Sequence, residues 1–289
     1  MRDAIRLIFL AFLFQATLYG SSEIRTAIDI GTGKIKMQVA RVDEERVETL
    51  HSQAERIPNI PIIGSDGNIT QEGQASLIAI LSSLKEVGER YGATKCEAIA
   101  TELFRKAPNG LETANEIAQL LQMEIKVISS EEEGILGFLT IVNEARLDPD
   151  HVAVLDIGSG SFQITCKMED RFLVYSAPFG RNPMYELVQN NALSSLQNAL
   201  SAIDPLILEK IHSGRCSIVG IGAHPKQFVS AKGKYYRNDL IAALQECPET
   251  DLNYSDLLLV KTLMDFLHVT EVEYIAVRAG NTSGLFSRP

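Results

Sequence analysis

Two stretches of the chain carry the same order of apolar and polar positions. Residues 26–42 read TAIDIGTGKIKMQVARV, and residues 152–168 read VAVLDIGSGSFQITCKM. In each, an apolar run of strand length ends at Asp-Ile-Gly. A small polar residue, a second glycine and one further residue follow. Apolar positions then alternate with polar ones, as at Ile35, Met37 and Val39. This pattern predicts a buried strand, a tight glycine turn and a half-buried return strand, once in each copy. Asp29 and Asp156 occupy the same place in the two copies. Their wide separation suits two similar domains in tandem rather than a short-period solenoid.

The rest of the chain alternates helical and strand patterns. Leu77, Ile80, Leu81, Leu84 and Val87 have helical spacing, with Thr70 as a cap. Residues 96–100 and 125–128 predict strands, and Leu111, Ala114, Ile117, Ala118 and Leu121 mark a helix between them. After the second copy, residues 172–176, 217–221 and 274–277 predict strands. Met184, Leu187, Val188 and Leu196 are helix-like, and Leu257, Val260, Leu263, Met264 and Leu267 mark a late helix. The stretch 146–151, with Asp148, Pro149 and Asp150, predicts a linker. The expected division is a first domain over 23–147 and a second over 148–289, both α/β.

Composition narrows the function. Of 289 residues, 45% are apolar and 22% charged, as in globular proteins. Lys and Arg number 27 against 37 Asp and Glu, a net charge of −10. That balance offers no footprint for duplex nucleic acid, so any phosphate must be bound at a focused site. The four cysteines form no C-x-x-C, which argues against a zinc site or redox pair. None of the five histidines has metal-ligand spacing, and His224 is the one candidate for a cleft position. Residues 1–22 place Arg2 and Arg6 before an apolar run at 7–14, with Gly20, Ser21 and Ser22 after it. That is the layout of a secretory leader, and the run is too short for an easy membrane span. A start codon set too early, or a buried first helix, would give the same pattern. The expected location is exported or periplasmic if the leader is real, and cytoplasmic otherwise.

Glycine hairpins ending on an aspartate suit phosphate chemistry. Glycine lets backbone N–H groups approach an anion closely. A carboxylate at the strand end can hold a divalent cation that neutralises phosphate charge. Gly31, Thr32, Gly33 and Lys34 in the first turn, and Gly158, Ser159, Gly160 and Ser161 in the second, are candidate phosphate ligands. Asp29 and Asp156 are candidate metal ligands. One such turn alone is an ordinary hairpin; two in matching surroundings favour phosphate. Residues 125–134, IKVISSEEEG, predict a strand and then a helix start with Glu132 and Glu133 in capping-box range. A plain cap and a carboxylate that positions water are both open here, and at most one or two of the three glutamates can face a cleft. Arg105, Lys34 and Arg181 are candidate phosphate-binding cations. Gly220 and Gly222 could form a further ligand-facing turn.

Taken in order, these blocks resemble the exopolyphosphatase/guanosine pentaphosphate phosphatase family (Ppx/GppA). Asp29-Ile-Gly-Thr-Gly-Lys34 stands for the first phosphate loop, and Ala100-Thr-Glu-Leu-Phe-Arg-Lys-Ala-Pro-Asn109 for the A-T-x-x-x-R block. Ile128-Ser-Ser-Glu-Glu-Glu-Gly134 stands for the paired-Glu block, Asp156-Ile-Gly-Ser-Gly-Ser161 for the second loop, and Pro178-Phe-Gly180 for the P-x-G block. The resemblance implies two ribonuclease-H-like (actin-like) domains flanking a phosphate-binding cleft. It implies metal-assisted release of terminal phosphate from polyphosphate or guanosine pentaphosphate. In that reading Glu132, in a pair with Glu133, orients the attacking water, and Asp156 holds Mg²⁺ (or Mn²⁺) with Asp29 nearby. Arg105, both loops and Gly180 serve the phosphates. No duplex nucleic acid and no stable membrane span are expected, and a homodimer is left open.

The chain departs from the family at several places. Gly33 replaces Asn and Lys34 replaces Ser in the first loop, while Ser130 and Ser159 replace glycines. Arg181 and Pro183 stand near the place of a downstream Arg, and His224 near that of a Thr. A non-catalytic polyphosphate- or nucleotide-binding module is the alternative. An actin-like kinase or ATPase is disfavoured by the Glu132–Glu133 pair with Arg105 and by the lack of an adenosine motif.

Overall fold

A computed structural model describes residues 22–43, 46–58, 61–222, 233–277 and 280–286. The leader read over residues 1–22 falls outside these except for Ser22, and His224 falls outside them too.

Each glycine hairpin opens a sheet. In the first, β1 (Glu23–Ile30), β2 (Lys34–Val42) and β3 (Val47–Arg56) form an antiparallel meander. β4 (Lys95–Ala100) and β5 (Glu124–Val127) then add in parallel on the other side of β1, giving the order β3-β2-β1-β4-β5. In the second, β6 (Val152–Ile157), β7 (Phe162–Met168) and β8 (Arg171–Ala177) repeat the meander. Beyond β6 lie β9 (Ser217–Gly222), β10 (Lys234–Tyr236) and β11 (Glu271–Tyr274), in the order β10-β11-β9-β6-β7-β8. β9 and β11 run parallel to β6, and β10 is an antiparallel edge. The repeat in the sequence is therefore a repeat of topology, and the fold is mixed α/β with two sheets.

Helices fill the crossovers. In the first half these are α1 (Gln71–Arg90), α2 (Glu102–Lys106), α3 (Gly110–Leu121) and α4 (Ser130–Ala145). The second half has α5 (Arg181–Gln189), α6 (Ser194–Leu200), α7 (Pro205–His212), α8 (Arg237–Glu246), α9 (Leu252–Phe266) and α10 (Thr282–Phe286). Thr70 caps α1 as expected, its hydroxyl accepting from the Gly73 N–H at 2.9 Å. Two expectations shift. The helix read through Met184 and Leu196 is two helices, because Asn191 takes a left-handed φ of 51° between them. The strand read over 274–277 lies earlier, at Glu271–Tyr274, where Val272 is the buried position paired with Tyr235.

Strand alternation divides each sheet into two faces. On the outer face of the first, Ile28, Ile30, Ile35 and Met37 pack under Leu77, Leu81 and Leu84 of α1 and Ile117 of α3. On the outer face of the second, Leu155, Ile157, Phe162 and Ile164 share a core with Leu257, Val260 and Leu263 of α9. Asp29 and Asp156 fall at the intervening positions and so face inward. α4 lies between the inner faces. Its Leu136 packs with Ala27, Ala40 and Ile99, and its Phe138 and Ile141 pack with Val152, Val154 and Ile221.

α10 returns to this junction. The Gly284 N–H donates to Thr140 Oγ1 at 2.9 Å, and Ser283 Oγ lies 2.8 Å from Gln38 Oε1 and 2.6 Å from Glu144 Oε1. A Cβ at position 284 would stand 2.5 Å from the Leu136 carbonyl oxygen, so the helices meet backbone to backbone. Gly284→Ala is expected to lower unfolding free energy by about 1–3 kcal/mol, the usual range for overpacking. A shift in the urea midpoint with an unchanged slope would show it.

Candidate active site

The same short loop closes both hairpins. The Gly31 N–H donates to the Lys34 carbonyl at 3.1 Å, and the Gly158 N–H to the Ser161 carbonyl at 2.8 Å. The loops face each other: a Cβ on Gly33 would lie 3.5 Å from Ser159 Oγ. The second loop is braced from behind. The N–H groups of Arg181 and Asn182, opening α5, donate to the carbonyls of Gly158 and Ser159 at 3.1 and 2.8 Å. Gly180 sits under this loop, where a Cβ would come within 2.5 Å of the Gly158 carbonyl oxygen. Gly180 thus shapes the loop and does not itself line the cleft.

The loops frame a cleft of about 800 Å³ that Asp29, Glu133 and Asp156 also line. Burial drives each of these carboxyls toward its neutral form. Asp29 is raised by burial, against the pull of Lys36 and of the Asn281 N–H, which donates to its Oδ2 at 3.3 Å. Asp156 is pushed up to about 6 by burial, with Lys36 opposing and Asp29 adding. Two glycines leave room for it. A Cβ on Gly222, whose φ is 91°, would stand 2.7 Å from Asp156 Oδ1, and one on Gly137 of α4 would stand 3.0 Å from Oδ2.

Glu133 opens α4 and points into the cleft. Its Oε2 accepts from Arg105 Nη2 at 2.8 Å, while Arg105 Nη1 donates to the Ile128 carbonyl at 3.0 Å. Burial still pushes Glu133 up to about 7, against Arg105, and the charges of Asp29 and Asp156 push the same way. Arg105 stands behind Glu133 and does not line the cleft. Glu132, which the resemblance gives to the water, is elsewhere. It is the third residue of the helix and closes a capping box with Ser129, accepting from the Ser129 N–H at 2.9 Å. Lys126 Nζ donates to its other oxygen at 2.6 Å and holds its carboxyl below the usual range. The cap and Lys126 turn Glu132 away from the cleft, one helical position from Glu133.

Thr32, Lys34, Gly158, Ser159, Gly160 and Ser161 all line the cleft. Arg181 does too, its Nε donating to Asp256 Oδ1 at 3.0 Å. Gly222 faces the cleft, whereas Gly220 stays inside β9, paired with Leu155. Lys36, Arg56 and Glu102 are lining residues that the sequence reading missed. For Lys36 a signal existed. Counting outward from the turn makes it the cross-strand partner of Asp29 and so puts it on the same face. Among the described residues, no three His, Cys, Asp or Glu side chains converge as a metal site.

Two sheets of like order, each opening on an aspartate and a glycine hairpin and meeting at a shared cleft, define an actin-like fold. The profile of the Ppx/GppA phosphatase family matches residues 38–235, and the chain belongs to that family. Solved structures agree in fold. A PPX-GPPA enzyme of Aquifex aeolicus, 14% identical, superposes with a TM-score of 0.71 over 93% of this chain and all of that one. An exopolyphosphatase from Cytophaga hutchinsonii, also 14% identical, gives 0.69 over 91% and 96%. Among curated relatives, a bifunctional 3-dehydroquinate synthase/phosphatase of Fusobacterium nucleatum is 24% identical over 156 residues, which is 51% of this chain and 23% of that protein. An uncharacterised Streptomyces coelicolor protein is 22% identical over 48% of this chain and 41% of its own. The matched part is less than half the length of either relative.

The buried aspartate has a consequence for stability. Asp156 holds its proton to about 6 when folded and to its ordinary 3.8 when unfolded. Its stabilising contribution is whole below 3.8 and is lost as pH rises through about 6, because the ionised form is desolvated in the cleft. Asp156→Asn is therefore expected to melt higher than the wild type at pH 8 in chelator, with the gap narrowing toward pH 4. Thermal melts across that range read it.

Proposed function

We propose that the chain is a phosphohydrolase that releases terminal phosphate from inorganic polyphosphate or guanosine pentaphosphate with the help of a divalent cation. The observation that carries this reading is the pair of matched glycine loops facing each other over the buried carboxylates of Asp29, Asp156 and Glu133. Membership of the Ppx/GppA phosphatase family supports it, as does a fold shared with a protein described as an exopolyphosphatase.

The work divides among the chain's own residues. Backbone N–H groups of the loops, the hydroxyls of Thr32, Ser159 and Ser161, and the Lys34 ammonium bind phosphate oxygens. Glu133 takes the role of orienting the attacking water and accepting its proton. Its carboxyl, pushed up to about 7, is matched to proton transfer near neutral pH. Arg105 fixes the direction of that carboxylate and is the positioning residue. The cleft is lined by four acidic and four basic side chains, so its own charge does not suffice to draw in a polyanion. Asp29 and Asp156 fit a hard divalent cation, since they are buried oxygen donors whose charge Lys36 offsets only in part. Mg²⁺ typically binds through one or two carboxylates, waters and substrate phosphate. When bound there, such an ion would supply charge neutralisation for the phosphate. Positioning and electrostatics carry most of the acceleration in a site of this kind.

Phosphate release from polyphosphate and from guanosine pentaphosphate, measured side by side with a Mg²⁺ titration, tests the reading. Activity is expected to need Mg²⁺ or Mn²⁺, to stop in excess chelator, and to rise with pH through about 7. Glu133→Gln is expected to lower turnover by roughly 10²–10⁴-fold. Asp156→Asn should abolish it, and Asp29→Asn should weaken metal dependence less. Glu132→Gln should stay near the wild-type rate and lose only helix-cap stability. A wild-type rate in Glu133→Gln, together with a collapse in Glu132→Gln, would reverse the assignment.

A further inference from the structure

Beside the second phosphate loop, the cleft is walled by the first turns of α5 and α9. Arg181 and Asn182 line it from α5, and Leu252 and Asn253 from α9. Lys34, Lys36 and Arg56 are lining cations of the first half. Among the described residues, Arg181 is the one basic side chain that lines the cleft from the second half. Its backbone N–H already serves the loop through the Gly158 carbonyl. Its side chain goes elsewhere, to Asp256, one turn along α9 from Leu252 and Asn253.

Asp256 takes one edge of the guanidinium. Nε donates to Oδ1 at 3.0 Å, and Nη2 donates to Oδ2. Among the described residues, nothing accepts from Nη1. The Asp256 side chain is 1% exposed and that of Arg181 33%. The carboxylate is therefore a buried anchor, and the guanidinium is the part that meets the cleft. As a mere tie between two helices such a pair gains little, because desolvating the carboxylate offsets much of the attraction. A guanidinium carries its N–H groups in a fixed fork. With the Nε edge taken, the end formed by Nη1 and Nη2 can still hold a phosphate through parallel bonds.

We infer that Arg181, fixed by Asp256, is a subsite for the phosphate groups that follow the terminal one in a linear phosphate chain. The inference rests on the phosphate-binding reading of the cleft. The terminal group belongs where the loops face each other, at Gly33 and Ser159. The next groups extend along the wall of α5 and α9 to the guanidinium. Asn182 and Asn253 add no negative charge to that wall. Arg181 is then the residue that reads chain length, and Asp256 is a positioning residue.

The experiment is calorimetric titration at fixed Mg²⁺ with inorganic triphosphate and guanosine triphosphate, and with orthophosphate read by displacement. A Glu133→Gln background keeps the ligands intact. Arg181→Gln combined with Asp256→Asn removes the fork without stranding a buried charge. Asp256→Asn alone keeps the fork and loosens its anchor. The double variant is expected to bind triphosphate roughly tenfold or more weakly, the scale of a charge-assisted hydrogen bond, with orthophosphate unchanged. Asp256→Asn should also weaken triphosphate, although by charge alone the loss of an acid would tighten an anion. An equal loss for guanosine triphosphate gives the subsite to any phosphate chain, and a loss for inorganic triphosphate alone gives it to polyphosphate. Melting curves report folding. Arg181→Lys, which keeps the charge without the fork, carries the test with the same expected weakening if the double variant is not folded. Unchanged triphosphate binding would make the pair a tie between helices and overturn the subsite. A loss of equal size for orthophosphate would place the effect in the loop and overturn it as well. Tighter binding in Asp256→Asn would overturn the positioning role. No triphosphate binding in the parent would overturn the phosphate reading, and the subsite with it.

Discussion

Three carboxylates buried at one junction set the terms for the rest of this molecule. Asp29, Asp156 and Glu133 come from two sheets and a helix, and each is desolvated where they meet. Such a group persists only when compensation is close at hand. The compensation comes from different parts of the chain: Lys36 from the strand beside Asp29, Arg105 from α2, and the Asn281 N–H from the return of the chain. None of these relieves the burial fully. The three carboxyls are left only partly compensated, and burial holds each toward its neutral form beside the two glycine loops.

α4 makes this possible by serving both halves. Its amino-terminal turn, where the helix dipole favours negative charge, carries Glu133 into the cleft. Gly134 and Gly137 let the next turns lie close to the second sheet. A Cβ on Gly134 would stand 2.8 Å from Thr165 Oγ1, and one on Gly137 would stand 3.0 Å from Asp156 Oδ2. Farther along, Leu136 packs toward one sheet and Phe138 and Ile141 toward the other. One helix thus fixes the Glu133 carboxylate relative to both sheets.

Much of this was legible in the sequence because it is local. The hairpins, the duplicated order of apolar and polar positions, the Thr70 cap and the box at Ser129 depend on residues a few positions apart. The site was less legible because it depends on direction. Glu132 and Glu133 are adjacent, yet one closes a cap and the other enters the cleft, since a helix turns by roughly a quarter of a circle per residue. Arg181 read as a lone cation, while its partner Asp256 lies 75 positions away. Nothing near Glu102 in the sequence marks it, and only the fold lays its carboxylate against Gly160 from the other half. The helix break at Asn191 and the earlier placement of β11 likewise follow from local backbone and pairing choices that apolar spacing does not record.

The docking of α10 bears on the order of assembly. Gln38 on β2, Glu144 on α4 and Asp29 on β1 all find partners in residues 281–283, close to two hundred and fifty positions after β1 in the case of Asp29. During synthesis the outer face of the first sheet can be covered by α1 and α3 as soon as they emerge. Its inner face receives Leu136 of α4 next and is completed only when Leu285 and Phe286 have left the ribosome. Domains ordinarily complete themselves from the amino terminus onward. Here the amino-terminal half is completed by residues far along the chain, so the cleft takes its final form only after residues 280–286 are available to dock.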